Sequence, residues 1–168
     1  NSGPGGTSGV FIHEKHASNT ALPRFGGWWG HDEKTRFLMR KGFHPTPTAE
    51  GWQLSNAQVF PMAIHKASLE IFEQAGMQNL REKSEKLTGF LYYLLTQKHH
   101  VPYTIITPAE PSMRGCQISL LFHDHGRETF DALTDHKIIA DWREPNVIRL
   151  SPAPLYNTFE DVWHTARV

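Results

Sequence analysis

The sequence has little cysteine, no excess charge of either sign and no long apolar run. Cys116 is the one cysteine among 168 residues, which excludes an internal disulfide or a site built from several thiolates. The 17 Lys and Arg residues are balanced by 17 Asp and Glu residues, which argues against a nucleic-acid-binding or polybasic membrane surface. No apolar run approaches the roughly 18 residues that a membrane-spanning helix needs. We expect a cytoplasmic protein that binds neither nucleic acid nor membrane.

A change in composition divides the chain near residue 58. Residues 1–58 are rich in glycine and aromatic side chains and show little sustained periodicity, which predicts loops that pack against a larger core. Residues 59–168 alternate between helical and strand patterns in the order α-α-β-β-α-β-β-α. This order is typical of a small α+β domain with a mostly antiparallel sheet covered by helices.

Three helices of the second part have recognisable ends. Apolar residues at helical spacing predict an amphipathic helix from Pro61 to a stop near Gly76. Asn79 followed by Glu82 resembles a capping box and predicts the start of a second, longer helix. The same spacing over residues 157–160 predicts the start of the last helix.

Arg149 lies in a strand pattern. The period of residues 147–150 places Arg149 on the face opposite Ile148. A guanidinium on a rigid strand is a good bidentate clamp for a carboxylate. An ion pair with Asp141 or Glu144 is the alternative, and the residues alone favour it slightly because surface ion pairs are common.

Trp28 and Trp29 lie between glycines in a predicted loop. An indole N–H can only donate a hydrogen bond, so it suits an anion or an aromatic ligand. Alternatively, both rings cover the core, since tryptophan is highly buried on average. The sequence pattern by itself favours neither interpretation.

Eleven histidines raise the question of a metal site. The segment His13-Glu14-Lys15-His16 is one residue short of the H-E-x-x-H motif, whose spacing puts both imidazoles on one helix face. His123 and His125 would need further ligands from elsewhere. A metal-dependent hydrolase would require these histidines to converge, and we predict no metal.

Seven short segments occur in a fixed order and together resemble the kynureninase family. They cover essentially the whole chain, and they match the C-terminal part of that family. The segments are Asn1-Ser2-Gly3-Pro4-Gly5-Gly6, Phe11-Ile12-His13-Glu14-Lys15-His16-Ala17, Gly27-Trp28-Trp29-Gly30-His31, Ser55-Asn56, Arg114-Gly115-Cys116-Gln117, Ile148-Arg149 and Pro154-Leu155-Tyr156-Asn157.

The resemblance implies the fold and chemistry of a pyridoxal-phosphate (PLP) enzyme of fold type I, the aspartate-aminotransferase type. Such an enzyme would hydrolyse L-kynurenine, or 3-hydroxykynurenine, to anthranilate, or 3-hydroxyanthranilate, and L-alanine. It would serve tryptophan catabolism and NAD biosynthesis as a cytoplasmic homodimer whose active site is shared across the interface. Residues 1–58 would form the end of the large cofactor-binding domain, and residues 59–168 would form most of the small C-terminal domain.

The resemblance also implies roles for five residues. Trp28 would donate its indole N–H to the cofactor phosphate of the neighbouring subunit. Asn56 would lie at the cofactor and substrate pocket with Ser55 beside it, and Trp29 would lie near the substrate ring. Arg149 would hold the substrate α-carboxylate.

The family's Schiff-base lysine precedes the Asn-Ser-Gly stretch by a few residues. None of Lys15, Lys34 and Lys41 matches its motif, so the resemblance assigns no catalytic residue to this chain. We expect a fragment that has no turnover by itself. A non-catalytic α+β binding module is the alternative for residues 59–168, although it gives no reason for the glycine and tryptophan loops ahead of them.

Overall fold

A computed structural model describes residue 3, residues 5–98 and residues 100–168. The glycine-rich opening segment at residues 1–6 therefore lies partly outside the described residues. The chain divides into two compact units, one up to Ile71 and one from Phe72 to Val168. The assignment of residues 1–58 to a larger cofactor domain stays a prediction.

The first unit consists mostly of loops, as its composition predicts. Before residue 59, its described residues contain one short helix, α1 (Glu14–Ala17), and a 3-10 helix over Ala49–Trp52. Backbone hydrogen bonds join its loops, since Asp32 donates to His44 and Thr46 donates to Gly30, each at 2.8 Å between nitrogen and oxygen.

Helix α2 (Val59–Ala75) contains the boundary between the two units. The predicted helix is present, but it begins two residues before Pro61. Most of its apolar side chains are exposed in this chain, with Ile64 at 76% and Ile71 at 56% of full exposure. Periodicity therefore identified the helix correctly, while the described residues leave its apolar face uncovered.

Helix α3 (Met77–Thr96) begins earlier than the capping-box prediction. Gly76 is its N-cap with a φ of 76°, a conformation that glycine adopts without steric cost. Asn79 lies inside the helix, and its side-chain amide donates to the Ala75 carbonyl at 2.9 Å. The predicted cap at Asn79 is wrong because the turn at Gly76 already fixes where the helix starts.

The described residues form four strands, β1 (Tyr103–Ile105), β2 (Ile118–Phe122), β3 (Asp141–Arg143) and β4 (Val147–Leu150). They make one antiparallel sheet in the order β1-β2-β4-β3, which confirms the predicted small antiparallel sheet. Helix α4 (Gly126–Asp135) connects β2 to β3.

The core of the second unit lies on one face of this sheet. Ile118 of β2 and Ile148 of β4 are both at most 1% exposed, and they belong to one apolar cluster with Leu87 and Leu91 of α3. Burying each such side chain contributes about 1.5–3 kcal/mol. The opposite face carries the odd-numbered residues of β4 and therefore Arg149.

The last helix, α5 (Phe159–Arg167), adds Val162 to this core. Its capping box is displaced by one residue from the prediction. Thr158 is the N-cap and accepts from the Asp161 backbone at 3.1 Å, while the Asp161 carboxylate accepts from the Thr158 backbone at 2.7 Å. Asn157 instead accepts from the Ala153 backbone at 2.8 Å, which closes the preceding turn.

Candidate functional site

Trp28 and Trp29 lie on a loop that is held by close backbone approach. Gly30 is buried, and a Cβ added to it would lie 2.8 Å from the carbonyl oxygens of both Gly51 and Gln53. No larger side chain fits there without a backbone shift. Gly30 therefore fixes the path of the loop that follows the two tryptophans.

The indole of Trp29 is occupied within the first unit. Its N–H donates to Oδ1 of Asn56, and the Arg36 guanidinium lies 4.8 Å from the ring centre. The ring is 39% exposed. Because the carbonyl oxygen of the Asn56 side chain accepts this hydrogen bond, its NH₂ group is left as a donor.

Trp28 differs from its neighbour in having an available donor. Its ring is 55% exposed and lies 5.3 Å from the Phe37 ring, centre to centre. No acceptor in the described part of the chain receives its indole N–H. Trp28 therefore does not simply cover the core, which was the alternative interpretation of the two tryptophans.

The structure brings together some of the predicted site residues. Trp29 and Asn56 are in contact, and exposed Ser55 precedes Asn56 and accepts from the Gln53 side chain through its carbonyl at 3.0 Å. Arg149 belongs to the second unit. The roles given to these residues by the resemblance stay predictions.

Arg149 is anchored by a neighbouring strand. Asp141 of β3 is directly opposite it in the antiparallel register, so both side chains lie on one face. Oδ2 of Asp141 accepts from Nε and Nη2 of Arg149. The ion pair that the sequence offers as the alternative to a ligand clamp is therefore present.

A second guanidinium shares the same carboxylate oxygen. Arg143 donates from Nε to Oδ2 of Asp141 at 3.1 Å. Sequence reasoning missed Arg143, although the strand period already places it two residues beyond Asp141 and on the same face. The hydrogen bond from Arg149, assisted by the charge of Arg143, holds the pKa of Asp141 below its usual range.

The described residues contain no group of three or more His, Cys, Asp or Glu side chains that could hold a metal ion. His123 is instead within 2.8 Å of the Thr104 hydroxyl. His125 lies near the carboxylates of Asp124 and Glu128. No helix in the described ranges has a stretch that is long and apolar enough to span a membrane.

Comparison with solved structures gives the class of fold. The chain resembles a mutant of C-DES with glycine covalently linked to the PLP cofactor, at a TM-score of 0.59 and 18% identity. It also resembles the complex of the cystine C-S lyase C-DES with its reaction product cysteine persulfide, at a TM-score of 0.59 and 20% identity. Each match covers 86% of this chain and 37% of the other. The fold is that of the C-terminal portion of PLP-dependent fold type I enzymes.

The family is narrower than this class. Residues 80–168 match the model of the kynureninase C-terminal domain, and the chain belongs to that family. It is 52% identical over 167 residues to the kynureninase of Stenotrophomonas maltophilia (strain K279a) and 52% identical over 163 residues to that of Myxococcus xanthus (strain DK1622).

These relatives match almost all of this chain but are much longer. The matches cover 98% and 97% of the chain, yet 39% and 38% of the two relatives. The chain therefore spans about two fifths of the length of these relatives. The predicted resemblance to the kynureninase family is confirmed.

Proposed function

We propose that this chain is the C-terminal part of a PLP-dependent kynureninase that hydrolyses L-kynurenine to anthranilate and L-alanine. The observation that carries this proposal is 52% identity to a kynureninase over 98% of the chain. The likeness to the two C-DES structures supports the cofactor class. One of them holds glycine covalently linked to the PLP cofactor, and the other is the cystine C-S lyase with its reaction product. The 3-hydroxylated substrate belongs to the same proposal.

The donors of the first unit fit the phosphate of PLP. An ionised phosphate group offers strong acceptors, and the half-exposed indole of Trp28 offers a donor only. The NH₂ group of Asn56, whose oxygen is held by Trp29, is a second donor that suits the cofactor or the substrate. These residues would hold the cofactor from the loops that Gly30 keeps in place.

Pyridoxal phosphate, when bound, supplies an electron sink for negative charge that develops at the substrate α-carbon. Arg149 would bind the α-carboxylate and thereby orient the amino acid. Trp29 and Ser55 would line the substrate pocket. The chain's own residues thus bind and orient the substrate, while the cofactor carries the bond-breaking chemistry.

Trp28 would serve the cofactor of the neighbouring subunit in a homodimer. Its exposure of 55% in a single chain is consistent with a surface that a second subunit covers, as is the apolar face of α2.

We place the enzyme in the cytoplasm and in tryptophan catabolism, on the strength of the family. The division into a large-domain portion at residues 1–58 and a small-domain portion at residues 59–168 is part of the same proposal.

The test is anthranilate release from L-kynurenine by two purified polypeptides. The full-length protein that contains this chain is expected to release anthranilate when loaded with PLP. The 168-residue chain alone is expected to release none, because none of Lys15, Lys34 and Lys41 matches the motif of the family's Schiff-base lysine. An inactive, PLP-loaded full-length protein would overturn the proposed function, and turnover by the 168-residue chain would overturn the role given to an outside lysine.

A further inference from the structure

The ion pair of Asp141 and Arg149 uses only part of the arginine. A guanidinium carries five N–H groups in a fixed planar fork. Asp141 accepts from Nε and Nη2 through one carboxylate oxygen. No acceptor in the described ranges receives a hydrogen bond from Nη1, so the edge formed by Nη1 and the second N–H of Nη2 remains available.

The available edge has the geometry that a second carboxylate needs. Two parallel N–H groups at the end of a guanidinium bind a carboxylate in a bidentate fashion. The Arg149 side chain is 31% exposed, so a ligand can reach it. The ion pair and the carboxylate clamp, which the sequence presented as alternatives, are therefore compatible in one arrangement.

The charges of the cluster favour a second anion. Arg143 and Arg149 contribute two positive charges, and the one carboxylate between them, Asp141, contributes one negative charge. The difference leaves one positive charge for an incoming carboxylate. Without Arg143, the ion pair alone would be neutral and would attract an anion less strongly.

We propose that Asp141 is a positioning residue that holds Arg149 flat along the sheet and presents its Nη1–Nη2 edge to the α-carboxylate of the substrate. This inference rests on the proposed function. The cross-strand register supplies the rigidity, because β3 and β4 place the two residues directly opposite each other. Arg143 keeps the cluster cationic.

The test uses the full-length, PLP-loaded enzyme and the variant Asp141→Ala. We expect KM for L-kynurenine to rise about tenfold with a smaller change in kcat, because a mobile arginine binds the carboxylate less well. Preference for L-kynurenine over its α-carboxamide should fall in parallel. Asp141→Asn keeps the shape of the side chain, so it carries the test if the alanine variant fails to fold, and its KM should rise less.

A double-mutant cycle separates positioning from a structural role. If Asp141 acts through Arg149, Asp141→Ala combined with Arg149→Ala should be no worse in kcat/KM than Arg149→Ala alone. Asp131→Ala is the matched control, because Asp131 pairs with Arg127 at 3.2 Å on α4. This control should leave KM unchanged.

The kinetic results distinguish a failure of the positioning role of Asp141 from a failure of the proposed function. A KM within twofold of wild type in a folded Asp141 variant overturns the positioning role, and so does a lowered KM, which would mean that Asp141 competes with the substrate. Additive losses in the double-mutant cycle also overturn it. An inactive wild-type enzyme overturns the proposed function and this inference together. An active wild type whose Asp141 variants keep the wild-type KM overturns this inference alone.

Discussion

Trp29 donates its indole N–H to Oδ1 of Asn56, 27 residues further along the chain. This hydrogen bond makes two adjacent tryptophans chemically different. The donor of Trp29 is used within the chain, whereas the donor of Trp28 has no acceptor in the described ranges. The bond also orients the Asn56 amide so that its NH₂ group can serve a ligand.

Trp28→Phe should weaken PLP binding by the full-length enzyme. The variant keeps an aromatic ring beside Phe37 but removes the N–H that we assign to the cofactor phosphate. A hydrogen bond to a charged group is worth about 1.5–3 kcal/mol, so the Kd should rise about 10- to 150-fold. Cofactor titration followed by absorbance measures this change.

Trp163→Phe is the control for that measurement. Trp163 lies on α5, is 40% exposed and contacts Arg167, so its replacement changes the same residue type at a comparable exposure. Cofactor affinity should stay at the wild-type value. Equal Kd values for Trp28→Phe and wild type would refute the phosphate role.

Arg149→Lys should lower kcat/KM for L-kynurenine in the full-length enzyme. Lysine keeps the positive charge but lacks the planar fork that binds one carboxylate at each edge. Arg149→Ala should lose at least about 2 kcal/mol of transition-state binding, and the lysine variant should fall between it and wild type. Steady-state kinetics measure this loss, with Arg127→Ala as the control. If Arg149 were merely structural, Arg149→Lys and Arg149→Ala would change the stability of the enzyme and not kcat/KM.

Gly30→Ala should destabilise the first unit. The added methyl group would lie 2.8 Å from two backbone carbonyl oxygens, and overpacking of this kind costs about 1–3 kcal/mol. Gly9→Ala is the matched control, because an added Cβ there has no described atom within 4 Å. Denaturant unfolding followed by tryptophan fluorescence should separate the two variants, and equal stability would contradict the close approach seen at Gly30.

The capping box of α5 should make stability depend on pH. The backbone N–H of Thr158 holds the pKa of Asp161 below its usual value of 3.8. A carboxyl with a lowered pKa in the folded state stabilises that state above its unfolded pKa and loses this contribution as the pH falls through the folded value. Wild type should therefore be more stable than Asp161→Asn at pH 7, and the difference should shrink as the pH falls below 3.8.

Glu160→Gln is the control for the pH experiment. It removes the same charge from the same first turn of α5 but leaves both hydrogen bonds of the capping box intact. Thermal unfolding should show a smaller effect for this variant than for Asp161→Asn at neutral pH. A gap between wild type and Asp161→Asn that stays constant down to pH 3 would disprove the role of the ionised cap.

Local patterns predicted the elements better than their ends. The strand period placed Arg149 opposite the buried Ile148, as the structure confirms. The capping box predicted at Asn79 is wrong, and the one predicted at Asn157 is displaced by one residue to Thr158. The backbone conformation of Gly76 fixes the start of α3, and the hydrogen bonds between Thr158 and Asp161 fix the start of α5. Residue spacing alone does not determine either.

The amino-acid sequence by itself determined the alternation of helices and strands, the balance of charge and the family, since these depend on residue type, period and motif order. Tertiary structure decided which donors are occupied. The indole of Trp29 is satisfied by Asn56, and one edge of Arg149 is held by Asp141, through contacts between distant positions. The physical reason is that hydrogen bonds depend on where the fold brings atoms together, and neither loop closure nor strand pairing can be read from local periodicity.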